Sequence, residues 1–158
     1  MIHIKQTIFR RALEVLLAGS ALLVPLSAQS EGSSQAQSLP TVQLNAGIHR
    51  IHVMVARTPD ERQTGLMFRQ TMGTNDGMLF IFETATRQCF WMKNTLLPLS
   101  AAFIDLEGRI VNIADMAPQS LESHCSDQPV RFVLEMHQGW FAKKGLQKGS
   151  YIGGITGR

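Results

Sequence analysis

The richest chemistry in this chain lies in Cys89-Phe90-Trp91-Met92-Lys93-Asn94-Thr95, which runs through Leu96-Leu97-Pro98-Leu99 into the apolar segment Ala101-Ala102-Phe103-Ile104-Asp105. Aromatic residues suit a pleated, half-buried surface, so Phe90 to Lys93 is expected to be a strand, in a segment that Pro98 ends. Side chains alternate faces along a strand. Phe90 and Met92 then face a core, while Trp91 and Lys93 share the other face, with Asn94 and Thr95 at its end. An aromatic wall, an ammonium and an amide suit a small polar or anionic ligand. The plainer reading is a covered Trp91, a Lys93 reaching for water and an Asn94 closing a turn. Arg62 and Arg69 flank the apolar cluster Leu66-Met67-Phe68. Two guanidinium groups there suit a carboxylate or phosphate, or else pair with internal acids such as Glu135 or Asp105. The candidate ligand-binding set is therefore Arg62, Arg69, Trp91, Lys93, Asn94 and Thr95.

The N-terminus has the layout of a secretory leader. Lys5, Arg10 and Arg11 form a basic start, Ala12 to Val24 an apolar run, and Pro25 ends it before a stretch of small residues. Residues 1–28 are assigned as a signal peptide cleaved after Ala28, with Ala28-Gln29-Ser30 as the alternative junction and an uncleaved anchor as the competing reading. The run is short and interrupted by Glu14 and Gly19, so no stable membrane span is expected after cleavage. The location implied is periplasmic or secreted. The whole chain is basic, at +3, but removing Lys5, Arg10, Arg11 and Glu14 with the leader leaves about +1. A near-neutral domain with no basic cluster argues against nucleic acid as the partner.

An oxidising compartment and two cysteines suggest a disulfide between Cys89 and Cys125. It closes a loop of about 37 residues and stabilises by roughly 4 kcal/mol on the chain-entropy model. A reactive thiol or a soft metal site are the alternatives. Methionine and histidine can hold Cu(I) in such a compartment, which makes a periplasmic copper-binding protein one alternative function. The methionines are scattered, however, and His49, His52, His124 and His137 have no convincing ligand spacing, so no metal site and no cofactor is assigned. Enzyme motifs of the G-x-S-x-G, H-E-x-x-H and phosphate-loop types are absent from the sequence. Lys93, Asp105 and Glu135 form an acid–base set for a hydrolase or transferase only if the fold brings them together.

The elements that must position these groups follow from periodicity and turn chemistry. Residues 29–40 are a polar linker expected to be disordered, and residues 41–158 the folded domain. Ile51, Val53 and Val55 alternate with Arg50, His52 and Met54 as in a half-buried strand. Thr58-Pro59-Asp60-Glu61 carries a cap, a proline at the first helical position and the acid of a capping box, so a short helix runs to about Gly65. Strands are expected at Met78–Phe82, Leu99–Ile104, Ile110–Ala114, Val130–Met136 and Tyr151–Ile155, with a hairpin turn at Asp105-Leu106-Glu107-Gly108. A second short helix spans residues 138–144. The fold class is mostly β: one compact sandwich or barrel-like domain of about seven to eight strands and two short helices.

The chain also resembles the uncharacterised DUF192 family. The resemblance lies in Phe90-Trp91-Met92-Lys93-Asn94-Thr95 with Pro98-Leu99 and Ala102-Phe103-Ile104-Asp105, in residues 62–69 and 77–82 upstream, and in Pro129 to Glu135, Gly139 and residues 145–149 downstream. It covers about residues 42–155 and departs from the pattern at Ser100, where many members carry an acid. It implies a compact, mostly β domain and no particular reaction. With no catalytic motif, the expected function is that of an exported, non-catalytic binding or accessory protein for a small polar or anionic ligand.

Overall fold

A computed structural model describes residues 35–155. The leader assigned to residues 1–28 and the first part of the linker lie outside the described residues. Strand β1 (Thr41–Ala46) turns at Gly47 into β2 (His49–Ala56), and the two pair antiparallel. Ile51, Val53 and Val55 are buried and His52 is exposed, as their alternation requires.

Helix α1 (Pro59–Thr64) follows, and its capping box is complete. Thr58 accepts from the Glu61 N–H, and the Glu61 carboxylate accepts from the N–H groups of Arg57 and Thr58. Gly65 ends the helix at φ 48°, a conformation that L side chains rarely adopt. The excursion through α1 lets strand β3 (Asp76–Thr86) lie parallel to β2, which a tight turn cannot do. Then come β4 (Cys89–Phe90), β5 (Leu99–Ile104), β6 (Ile110–Met116), β7 (His124–Cys125), β8 (Val130–His137), α2 (Trp140–Lys143) and β9 (Ile152–Gly153).

Seven strands form one sheet in the order β6-β5-β8-β3-β2-β1-β9, while β4 and β7 form a separate ribbon. The large sheet curls until its ends meet. Arg109 bridges to Tyr151, Ile110 N–H donates to the Ser150 carbonyl, and Ile152 N–H to that of Gly108. The result is the mostly β, barrel-like domain with two short helices that the strand spacing implies. No described helix is long and apolar enough to cross a membrane.

Several elements differ from expectation, β1 and the two-residue β7 among them, where no strand was expected. The strand expected over Phe90 to Lys93 is only Cys89–Phe90, because its partner β7 offers just two residues. Beyond it, Met92 N–H donates to the Ser120 carbonyl and Thr95 N–H to that of Met92, so the backbone turns. Strand β3 runs on to Thr86, past the expected end at Phe82, through an irregular register against β8. The last strand shrinks to two residues, with Gly154 turning the chain at φ 85°. Ordered contacts also begin within the stretch read as linker. The Gln37 side chain donates to the Glu61 and Gly65 carbonyls, Leu39 packs on the core, and Val55 N–H donates to the Pro40 carbonyl.

Both faces of the sheet are apolar, so the central strands read as nearly continuous hydrophobic runs, and every residue of β5 is buried. On one face Leu79, Ala102, Ile104, Leu134 and Met136 pack beneath Trp140, Phe141, Leu146 and Ile152. On the other, Met78, Phe80, Ala101, Phe103 and Val133 pack with Leu66, Met92 and Met116. Strands β3 and β8 approach closely at Gly77. An added Cβ there would fall on the Glu135 carbonyl and the Met136 sulfur. Because the first of these is backbone, the strands would have to part. Gly77→Ala is therefore expected to destabilise the domain by about 1–3 kcal/mol. Urea unfolding reads this as a lower midpoint at constant slope; an unchanged midpoint would contradict the close approach.

Candidate functional site

Residues 133 and 135 of β8 face the same side of the sheet, and the second of them is an acid. Glu135 sits between Met78 of β3 and Ala101 of β5 in the paired register. It is only 4% exposed. Among the described residues its carboxyl has no hydrogen-bond partner, and burial alone pushes its pKa up to about 8. A carboxyl in this state is largely protonated at neutral pH, which makes it a hydrogen-bond donor as well as an acceptor.

Glu135 lines a cavity of about 230 Å³ on that face. The sheet contributes Phe80 and Phe82. The end of α1 and the turn after it contribute Arg62 to Met67, and the segment entering and leaving β4 contributes Gln88, Cys89, Phe90 and Trp91, with Thr95 beyond. The aromatic rings are held by one another. Phe90 meets Phe80, Phe82 and Phe103 edge to face, with centroids 4.8, 6.4 and 6.0 Å apart. Phe80 is buried and Trp91 is 49% exposed, so the lining passes from the core to solvent.

The ribbon that carries Phe90 is short and is tied by its cysteines. Cys89 and Cys125 stand directly opposite in the β4–β7 register, and their sulfurs lie at bonding distance, 2.09 Å. Ser126 N–H donates to the Gln88 carbonyl, and the Ser126 hydroxyl accepts from Gln88 N–H. The loop beyond is fixed through three residues with positive φ: Phe68, Asn94 and Gln119. Phe68 N–H donates to the Asn94 carbonyl and Gln119 N–H to that of Thr95. Asparagine tolerates this conformation, whereas a bulky phenylalanine held there is unusual.

Of the six residues singled out from sequence, the structure brings Arg62, Trp91 and Thr95 to the cavity. Trp91 and Lys93 share an exposed face as the alternation implies, with the ammonium 5.5 Å from the indole ring centre, but Lys93 does not line the cavity. Asn94 serves the turn: its amide reaches the Met67 sulfur at 4.0 Å. Arg69 lies apart, in a second depression of about 560 Å³ with His52, Met54, Met72 and Asp76. Among the described residues the two arginines pair with no acid. Arg62 donates to the Arg57 and Ile81 carbonyls and stacks 5.0 Å from the Phe82 ring centre. Arg69 donates to the Gln37 carbonyl and the Met54 sulfur. Carbonyl oxygens after β2 and at the start of the irregular stretch of β3 accept from Arg62, and the Gln37 carbonyl before β1 accepts from Arg69, where the sequence suggested Glu135 or Asp105.

Nor do Lys93, Asp105 and Glu135 share one site. Asp105 caps its own hairpin by accepting from the N–H groups of Glu107 and Arg109, and only Glu135 of the three lines the cavity. Met78, Met92, Met116 and Met136 are core residues. No three His, Cys, Asp or Glu side chains among the described residues are placed to share a metal ion. Sequence reading missed Phe80, Phe82, Phe90 and Gln88 as walls, and it named Glu135 as an acid–base candidate or an arginine partner rather than as the floor of a cavity. The one available signal was an acid between Leu134 and Met136 in an otherwise apolar strand.

Residues 41–154 match the sequence profile of DUF192, described as "Uncharacterized ACR". No curated protein matches the chain. A solved structure from Sinorhizobium meliloti, described as that of a proposed transcription regulator, is 34% identical, with a TM-score of 0.67 over 77% of this chain and 96% of its own. A protein of unknown function from Novosphingobium aromaticivorans is 30% identical, with a TM-score of 0.68 over 85% and 93%.

The state of Glu135 has a measurable consequence. Its folded pKa is raised from 4.5 to about 8, so between those values the folded chain keeps a proton that the unfolded chain has lost. Stability then falls as pH rises through that window, by up to about 1.4 kcal/mol per pH unit from this group. Relative to the native protein, Glu135→Gln is expected to gain stability steadily from pH 5 to pH 8 in urea unfolding. A difference that stays constant across that range would mean that Glu135 ionises normally.

Proposed function

The chain belongs to the DUF192 family, whose members are described as uncharacterised and bring no reaction with them, and we propose from its cavity that the domain is a non-catalytic binding module for a small polar ligand. The observation that carries the reading is the Glu135 carboxyl: buried, without a partner, and placed on a cavity walled by Phe80, Phe82, Phe90 and Trp91. An unpaired buried polar group is destabilising, and a ligand that bonds to it recovers part of that free energy. Largely apolar walls with a few convergent polar groups are the general character of small-molecule sites. The second reading, that Glu135 is a general acid–base group, draws support from its pKa near neutrality. Against it, Lys93 and Asp105 do not line the cavity, and Glu135 is the one acid among the described residues that do.

We also propose that the protein acts outside the cytoplasm, a reading supported by the leader-like residues 1–28 and by the Cys89–Cys125 pair. The regulator description of the Sinorhizobium relative is not carried over, because the region after the leader is nearly neutral and has no basic cluster.

Thermal shift against a panel of small sugars, amines, amino acids and carboxylates tests the binding reading. At least one class should raise the melting temperature of the native protein, and Trp91→Ala, an exposed change at the cavity lip, should reduce that shift. A panel that moves neither protein would remove the basis for a binding module.

A further inference from the structure

We propose that the cavity recognises a neutral, hydroxyl-bearing saturated ring, in chemical terms a single saccharide unit, which accepts a hydrogen bond from Glu135 and lays its C–H face on the aromatic wall. The inference rests on the binding reading above and specifies its ligand class. Size is the first argument. A cavity of about 230 Å³ falls below the roughly 300–1,000 Å³ of sites for drug-sized ligands, and so suits one ring.

The second argument is the inventory of free donors and acceptors. The Thr95 hydroxyl spends its proton on the Lys93 carbonyl, which leaves its lone pairs to accept. Gln88 commits one amide N–H to the Thr86 hydroxyl, which leaves its other N–H to donate and its carbonyl oxygen to accept. Glu135 in its protonated state supplies a donor. A ligand that both donates and accepts, as hydroxyl groups do, satisfies this lining. A carboxylate only accepts: it can take the second Gln88 N–H and the Arg62 N–H groups that the Arg57 and Ile81 carbonyls leave open, but it meets the Gln88 and Thr95 oxygens without a proton to offer. A cation meets the positive charge of Arg62 in the wall and of Lys93 over Trp91.

The third argument concerns what else can titrate near Glu135. Strand β3 presents Met78 and Phe80 beside it and β5 presents Ala101, none of them ionisable. The turn after α1 presents Leu66 and Met67, and Cys89 is bonded to Cys125. Arg62 in the lining and Lys93 over Trp91 supply the positive charge around the cavity. Strand β7 places His124 opposite Phe90 but outside the lining, and Glu135 is the one acid in the lining, so the pH dependence of a neutral ligand is assigned to it.

Calorimetric titration with glucose, glucosamine and glucuronate, one ring in three charge states, tests the assignment on the native protein, Glu135→Gln and Trp91→Ala at pH 6 and pH 9. The proposal expects glucose to bind best at pH 6 and about tenfold more weakly at pH 9, as Glu135 loses the donating proton. Glu135→Gln should bind glucose equally at both pH values, since the amide keeps a donor, and Trp91→Ala should weaken binding at both. Glucosamine binding most tightly, and failing in Glu135→Gln, would replace the neutral class by a cation. Glucuronate binding most tightly would replace it by an anion. If none of the three binds while another member of the thermal-shift panel does, the saccharide class is wrong and the binding module stands. If nothing in that panel binds either, both readings fall together.

Discussion

Glu135 is a carboxyl group in the middle of a strand that is covered on both sides. Its neighbours across the sheet are the apolar Met78 and Ala101, and its two chain neighbours point into the opposite core. Moving an ionised carboxylate out of water costs several kcal/mol even after relaxation, and no arginine, amide or backbone N–H among the described residues offsets this. The group responds by holding its proton. Everything around it makes such a residue tolerable: a sheet in which all of β5 and residues 77–81 of β3 are buried, and a covering layer that leaves open space above the acid rather than packing methyl groups against it.

That covering layer is made of pieces too short to be stable by themselves. Helix α1 has six residues, and β4 and β7 have two each. Local devices hold each in place. The capping box satisfies the start of α1, the disulfide spans the ribbon, and the Phe68–Asn94 and Thr95–Gln119 backbone bonds clamp three loops through residues with positive φ. Strained backbone persists only where the surroundings over-determine it. Here it keeps the aromatic lip around Trp91 in position while little regular structure passes through it. A rigid sheet as floor, with a separately fastened rim, is a common division of labour between scaffold and site.

Much of the scaffold was legible in the sequence. The alternation of β2, the capping box at Thr58 and the hairpin at Asp105-Leu106-Glu107-Gly108 each depend on residues within one turn or one strand of each other, and each appears as read. Pairing of Cys89 with Cys125 followed from there being only two cysteines. Trp91 and Lys93 share a face although their strand is cut short, because the in–out alternation outlasts the hydrogen-bond ladder. The arginines mark where local reading stops. Arg62 and Arg69 are seven positions apart and look like a pair, yet they open onto different depressions, because the turn after Gly65 carries the chain away between them.

The sequence by itself determined the class of the domain, most of its strands, the cap of its first helix, its disulfide partners and its membership of a family, since these depend on short-range periodicity, on turn chemistry and on the types of residue present. Only the tertiary structure decided that Glu135, Trp91 and Arg62 line one cavity, and that Lys93, Asp105 and Arg69 do not. Those three come from a central strand, a loop and a helix far apart in the chain, and their meeting depends on the order β6-β5-β8-β3-β2 and on a parallel crossover. The acid between Leu134 and Met136 was visible as a residue. That it would have no partner could not be read locally, because a partner can arrive from any element that packs over the sheet, and whether one does is a property of the whole fold.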